Sequence, residues 1–269
     1  MAREIALIGS GNMGSAMIKG IVGSGLVKAE NVVVTDAFEA AQQRLAGELG
    51  CEGTCDNASA VAGARYVFLA VKPQYLDGAV KTFASAVDPD AVVVSIAAGV
   101  PLSHLAELFG PEAKIVRVMP NLCAMVGAGM AGISPNENVS EAEAAHVKEL
   151  FEGFGRAEIV PEHLMDAVVA VSGSAPAYVA LFVEAMADAA VIEGMPRKQA
   201  YVFAEQAVYG TAKYLLETGM HPGAFKDMVS SPAGTTIAAV AELERGGLRA
   251  TVVDAMLACA ERNRELAAR

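Results

Sequence analysis

Two short stretches of this chain set glycine beside small polar side chains at spacings suited to holding an anion. The first, Gly9-Ser10-Gly11-Asn12-Met13-Gly14, fits G-x-G-x-x-G. It follows the apolar run Glu4-Ile5-Ala6-Leu7-Ile8 and opens a segment in which Met13, Ala16, Met17, Gly20 and Ile21 recur at helical spacing. Between a buried strand and an amphipathic helix, Gly9 makes the tight turn and Gly11 admits a pyrophosphate against the backbone. Gly14 lets helix and strand close. Free N–H groups and the positive end of the helix dipole then face the phosphates, the arrangement of a dinucleotide site. The second stretch is Ser231-Pro232-Ala233-Gly234-Thr235-Thr236. Ser231 is a good N-cap, Pro232 suits the first helical position, and Gly234 is costly inside a helix unless something must approach closely. Free N–H groups with two threonine hydroxyls would make a compact carboxylate site, and the same residues also describe a merely well-capped helix.

Other chemistries find little support. Cys51, Cys55, Cys123 and Cys259 have no metal spacing, and His104, His146, His163 and His221 lie far apart. There is no nucleophile elbow and no zinc motif, so no metal is expected and the thiols read as reduced and structural.

The elements that must position these residues alternate. After the first strand and helix, Asn31–Thr35 reads as a second strand ending at Asp36, 22 residues beyond Gly14. Such folds place an acid near there on the adenosine ribose, although a solvated turn residue or helix cap reads the same way. Phe38–Leu49 is a helix, and Asn57 opens a short one through Val61. Tyr66–Val71 is a strand broken by Lys72-Pro73, and Leu76, Val80 and Phe83 mark a helix. Val92–Ile96 is a strand leading to Ala97-Ala98-Gly99. Pro101 then begins a helix stopped by Gly110. Ile115–Met119 leads to Pro120-Asn121, Ser140 with Glu143 forms a capping box, and Ala157–Val160 is a last strand. The pattern predicts an α/β fold with a doubly wound parallel sheet of Rossmann type. Residues 9–14, 36, 70–73, 97–99 and 120–121 would all gather beyond the carboxyl ends of its strands, where ligands lie in such sheets.

After Pro161 the strand pattern stops and an all-helical domain is expected, dividing the chain into 1–161 and 162–269. Leu164–Ile192 reads as one long helix bent at residues 173–176. Arg197–Thr218 and Gly223–Val229 follow, then a helix opened by Ser231-Pro232 and closed by Gly246-Gly247, then Leu248–Arg269. The uncharged segment Ala167–Val183 holds glycine, proline and two serines, too polar for a bilayer span, and reads as a buried helix.

With 269 residues, 54% of them apolar, the chain can bury a large core and has apolar surface to spare for another subunit. A net charge of −11 with no basic run argues against nucleic acid and anionic membranes. The N-terminus runs straight into a strand, so no targeting peptide and a cytoplasmic place are expected.

From end to end the chain resembles the pyrroline-5-carboxylate reductases. The resemblance rests on I-G-S-G-N-M-G at 8–14, A-V-K-P at 70–73, S-I-A-A-G-V at 95–100 and M-P-N at 119–121. It continues in V-S-G-S-A-P-A-Y at 171–178, G-M-P-R at 194–197 and D-M-V-S-S-P-A-G-T-T at 227–236. The family's usual S-P-G-G-T has Ala233 for its first glycine here, a methyl for a hydrogen that leaves Gly234 in place. The resemblance implies reduction of 1-pyrroline-5-carboxylate to L-proline by NAD(P)H. It implies a cofactor lined by Ile8, Gly9, Gly11, Asn12, Met13, Gly14, Asn57, Ala70, Val71, Lys72, Pro73, Ala97, Ala98 and Asn121. The substrate carboxylate would be held by Ser231, Gly234 and Thr235, and Thr236, the expected catalytic residue, would meet the ring nitrogen. It also implies helical domains that interlock as homodimers, often assembled into decamers, with the active site at the dimer interface. Asp36 would accept from ribose hydroxyls and repel a 2′-phosphate, which favours NADH. Two rivals stand beside this reading. One is a 3-hydroxyacid dehydrogenase, whose lysine base would have to be Lys198, Lys213 or Lys226. The other is a dinucleotide sensor without activity, which would have no use for Ser231 and Thr236.

Overall fold

In the computed structural model, which describes residues 3–267, the short apolar runs of the N-terminal half become the inner strands of one sheet. Its strands are β1 (Ile5–Ile8), β2 (Val32–Thr35), β3 (Glu52–Thr54), β4 (Tyr66–Leu69), β5 (Val92–Ser95), β6 (Lys114–Met119), β7 (Gly129–Pro135) and β8 (Gly155–Ile159). Their order is β3-β2-β1-β4-β5-β6-β7-β8. Every residue of β1, β2, β4 and β5 is buried, because helices cover both faces. Alternate residues feed two cores. Ile5, Leu7, Tyr66 and Phe68 pack with α1 (Asn12–Gly23), α2 (Glu39–Leu49) and α6 (Glu141–Glu152). Ala6, Ile8, Val67 and Leu69 pack with α3 (Asn57–Val61), α4 (Pro73–Val80) and α5 (Leu102–Phe109).

The doubly wound parallel sheet is as expected except at one pairing: β7 runs antiparallel to β6, with Val118 opposite Ile133. Neither β3 nor β7 was legible as a strand. The exposed edge Glu52-Gly53-Thr54 has no apolar pattern, and glycines interrupt β7.

After β8 come α7 (Met165–Val168), a π-helical turn at Val169–Gly173, α8 (Ala175–Ile192), α9 (Arg197–Thr218), α10 (Pro222–Val229), α11 (Thr235–Arg245) and α12 (Leu248–Ala267). The last two positions of the expected final helix lie outside the described residues. The interruption of the long helix is the π-turn, where Ser174 N–H donates to Val169 O at 2.9 Å, and not Pro176. Pro176 falls in the first turn of α8, where its missing N–H costs nothing. The chain forms two compact units: everything up to Ser174 together with the segment from Cys259, and Ala175–Ala258.

The expected burial of the uncharged segment is also corrected. The continuous helical stretch Glu162–Ile192 is long and apolar enough to cross a membrane by length and composition, yet only 6% of its most apolar window is buried in the single chain. Val171, Leu181 and Phe182 are exposed. In the helical unit the buried side chains are Ala187, Ala200 and Ala204, small enough to let α8 and α9 approach closely.

Candidate functional site

In the sheet unit the site residues follow the carboxyl ends of parallel strands in spatial order. Asn57 comes after β3, Asp36 after β2, Gly9–Gly14 after β1, Ala70–Pro73 after β4, Ala97-Ala98 after β5 and Asn121 after β6. The strand order reverses between β1 and β4, the switch point at which such sheets open a crevice. Gly9 lies there at φ +104, and a Cβ on it would stand 2.8 Å from Ala70 O. A Cβ on Gly14 would overlap the Gly9 carbonyl oxygen, so helix and turn close only without a side chain. At Gly11 a Cβ would meet nothing within 4 Å. The chain itself thus makes no demand for glycine there, and the space is open above the start of α1. Gly11 is the N-cap of that helix, without a side-chain cap, and no acidic residue stands in its first turn. The residues therefore fit a bound pyrophosphate.

Asp36 does more than face solvent. Its Oδ2 accepts Ser10 N–H at 2.7 Å and its Oδ1 accepts Phe38 N–H at 2.9 Å. The carboxylate so ties the glycine turn to the start of α2, with lone pairs left for a ribose. Asn57 Oδ1 accepts from the buried Thr35 hydroxyl at 2.7 Å. Ala97 is buried, while Ala98 and Lys72-Pro73 are exposed. A cleft of about 480 Å³ runs along α1 past Lys19 and Arg44 and shares only Asn12 with these residues.

In the helical unit, the expectation that Ser231-Pro232 opens a helix is corrected. Residues 231–234 form a turn closed by Gly234 N–H donating to Ser231 O at 3.1 Å, and α11 begins at Thr235 with Gly234 as its N-cap. Pro232 precedes Ala233 at φ 56, the only non-glycine residue at positive φ among those described. That is the plan of a type II turn, which asks for glycine at its third position. A Cβ on Gly234 would overlap Ser231 Oγ, so glycine there is what seats the serine hydroxyl against the backbone. Among the described residues the hydroxyls of Ser231, Thr235 and Thr236 have no hydrogen-bond partner, and no side chain caps α11. Three hydroxyls and the first-turn amides of α11 are thus gathered in one stretch, ready for an oxyanion.

Comparison with known proteins matches two family models to the chain. Residues 162–266 match the family model for pyrroline-5-carboxylate reductase dimerisation, and residues 4–99 match that for NADP oxidoreductase, coenzyme F420-dependent. The pyrroline-5-carboxylate reductase of Escherichia coli is 47% identical over 267 residues, 99% of each chain. That of Methanosarcina acetivorans is 44% identical over 98% of each. Among solved structures, a pyrroline-5-carboxylate reductase from Coxiella burnetii superposes with a TM-score of 0.94 at 30% identity, covering 99% of each chain. The Plasmodium falciparum pyrroline carboxylate reductase, solved with NADP bound, gives 0.86 at 27% identity over 98% of each.

Proposed function

The chain belongs to the pyrroline-5-carboxylate reductase family, and from that premise we propose which of its residues carry the reaction. The enzyme is an NAD(P)H-dependent oxidoreductase that reduces the C=N bond of 1-pyrroline-5-carboxylate to L-proline, the last step of proline biosynthesis. When bound, the reduced nicotinamide supplies the hydride. Ile8, the glycine turn Gly9–Gly14, Asn57, Ala70–Pro73, Ala97-Ala98 and Asn121 hold and orient it, with the pyrophosphate at the start of α1. Residues 1–161 serve as the cofactor domain and 162–269 as the substrate and dimerisation domain, a division that the match over 162–266 supports. Pairing through this domain, further assembly into decamers and a cytoplasmic place complete the reading.

One observation carries the substrate assignment: the unpartnered hydroxyls of Ser231, Thr235 and Thr236 beside the uncapped start of α11. Ser231 with the Gly234 and Thr235 amides takes the substrate carboxylate, and Thr236 meets the ring nitrogen. A hydroxyl donates to a neutral nitrogen and accepts from a protonated one, so it serves imine and amine alike without titrating. A cyclic imine takes its proton from water, and positioning carries much of the rate. Removing one hydrogen bond to a charged group costs about 1.5–3 kcal/mol, or roughly ten- to a hundredfold in rate. Thr236→Ala should lower kcat/KM for pyrroline-5-carboxylate by that factor, leave NADH affinity unchanged, and be largely rescued by Thr236→Ser. A folded Thr236→Ala enzyme turning over at the wild-type rate would remove the threonine from the mechanism.

Cofactor choice follows from Asp36. Its remaining lone pairs accept from ribose hydroxyls, whereas an adenosine 2′-phosphate would meet like charge. NADH should be used at least as well as NADPH, and Asp36→Ser should shift the ratio of kcat/KM toward NADPH. A wild-type enzyme strongly favouring NADPH in that assay contradicts the ribose role.

A further inference from the structure

Beyond the residues already placed at the nicotinamide end, the π-turn supplies one more. Asn121 is 8% exposed and its amide is almost fully engaged. Its Nδ2 donates to Ser172 O at 3.2 Å and to Ser172 Oγ at 3.3 Å, and its Oδ1 accepts Met130 N–H at 3.2 Å. Both amide protons are therefore committed, and one lone pair remains on Oδ1. Because Ser172 Oγ accepts from Asn121, its own proton has to point elsewhere, and no acceptor for it lies among the described residues.

That hydroxyl is not on a loose loop. A Cβ on Gly173 would stand 2.5 Å from Met119 Cε at the end of β6, and one on Gly132 would stand 2.7 Å from Val168 Cγ1. Two close glycine contacts thus press the π-turn onto β6 and the end of α7 just before it onto β7, and π-turns recur at functional sites. Along the strand edge this point lies beyond Ala97-Ala98, on the side of the glycine turn away from Asp36. A dinucleotide with its pyrophosphate on Gly9–Gly14 and its adenosine toward Asp36 brings its nicotinamide to this side.

Resting on the cofactor site proposed above, we infer that Ser172 and Asn121 together read the carboxamide of the nicotinamide. A carboxamide offers one C=O acceptor and one NH2 donor. The pair offers the converse, a free O–H donor on Ser172 and a free lone pair on Asn121 Oδ1. The two contacts hold the ring against rotation about its glycosidic bond and so fix which of its faces is turned to the substrate. Asn121 has a second task, since its donation to Oγ is what aims the Ser172 proton.

Calorimetric titration of the full-length protein tests this with three probes: NADH, its thionicotinamide analogue and ADP-ribose. Sulfur is a poor acceptor, so wild type should bind the thio analogue about three- to tenfold more weakly than NADH, the worth of one neutral hydrogen bond. Ser172→Ala should weaken NADH by the same factor, treat NADH and the thio analogue alike, and bind ADP-ribose as wild type does. Ser172→Thr should restore NADH binding. Equal affinity of wild type for NADH and the thio analogue would overturn the proposal, whatever the variants do. So would a loss in Ser172→Ala that extends to ADP-ribose, since that probe has no nicotinamide and a purely structural role would weaken it too. Failure of wild type to bind ADP-ribose at all would instead overturn the underlying cofactor site, and this inference with it.

Discussion

The sheet unit and the helical unit solve the problem of burying apolar side chains in opposite ways. The sheet unit does it alone: Tyr66, Phe68, Phe83 and Phe151 are fully buried, and helices cover both faces of the inner strands. Between Ala175 and Ala258 the buried side chains are Ala187, Ala200 and Ala204, while Leu181, Phe203 and Leu257 are each more than 60% exposed. Three methyl groups are no core. Burial contributes roughly 25 cal/mol per Å² of apolar surface, so helices that leave this much uncovered are unfinished as a single chain. A second copy is the natural cover, in keeping with the dimerisation family model matched over 162–266. Most of the exposed large apolar side chains therefore have an address: they lie in the helical unit.

The largest expected effects set these two solutions against each other. Leu181→Glu on the exposed face should leave an unpaired charge in the interface and weaken self-association by about 3–5 kcal/mol, at least a hundredfold in dissociation constant. Sedimentation equilibrium would measure it. Phe68→Ala, which empties the space beside Phe151 (ring centroids 6.1 Å apart), should cost about 3–5 kcal/mol in unfolding with no change in association. If Leu181→Glu associates like wild type, α8 is not the covered face and the contrast between the units loses its explanation.

What the sequence disclosed follows the same contrast. The inner strands were legible because burial on both faces leaves an unbroken apolar run, and so was the gathering of residues 9–14, 36, 70–73 and 97–98 beyond the strand ends, because parallel strands align their loops. β7 was not, because its glycines answer to distant neighbours: a Cβ on Gly132 would press into Val168, and one on Gly129 would meet Ala124 at 3.0–3.2 Å. The partnership of Asn121 with Ser172 joins residues 51 apart and leaves no local trace. Ser231-Pro232 carries the composition of a helix start, yet the hydrogen bond from Gly234 to Ser231 makes it a turn. Exposure of the long apolar helix was hidden for a simpler reason, since sequence does not distinguish burial within a chain from burial between chains.

A smaller effect separates the electrostatics of the two units. In the sheet unit Glu143 completes the capping box of α6, and its Oε1 accepts from Lys114 Nζ at 2.8 Å. Those bonds, the Lys114 ammonium first and the Ser140 hydroxyl second, hold its carboxyl down to about 2. A depressed folded-state pKa means stability that is complete above the ordinary carboxylate range and is lost as pH falls from about 4.5 toward 2. Glu143→Gln should therefore cost about 1–2 kcal/mol at neutral pH, allowing for solvent screening, with the deficit closing in acid. Urea titrations at several pH values would read it. In the helical unit, Glu242 pairs with Arg245 one turn along an exposed helix, and Glu242→Gln should change nothing measurable. A deficit for Glu143→Gln that is independent of pH would mean the ion pair and cap contribute no charge-dependent stability.

The smallest effect concerns backbone conformation. Among the described residues of the sheet unit the positive φ positions, such as Gly9, are all glycine; in the helical unit the turn over residues 231–234 places Ala233 at φ 56. A left-handed alanine costs about 1–2 kcal/mol, because its Cβ crowds the adjoining carbonyl oxygen. Replacing it with glycine relieves that strain but also frees the unfolded chain, which offsets about 0.4–1 kcal/mol. The net expectation for Ala233→Gly is a gain of about 0.5–1 kcal/mol, a rise of roughly 1–4 °C in Tm for a chain of this size. The turn keeps its shape in either case, because Pro232 and the bond from Gly234 N–H to Ser231 O define it without the methyl group. Ser231 Oγ stays seated against Gly234, so KM for pyrroline-5-carboxylate should hold within about twofold, less than one neutral hydrogen bond is worth. A lower Tm for Ala233→Gly would mean that surrounding contacts made by the methyl outweigh its strain. A large rise in KM at unchanged Tm would mean that alanine, by narrowing the choices of the turn, keeps the carboxylate site formed.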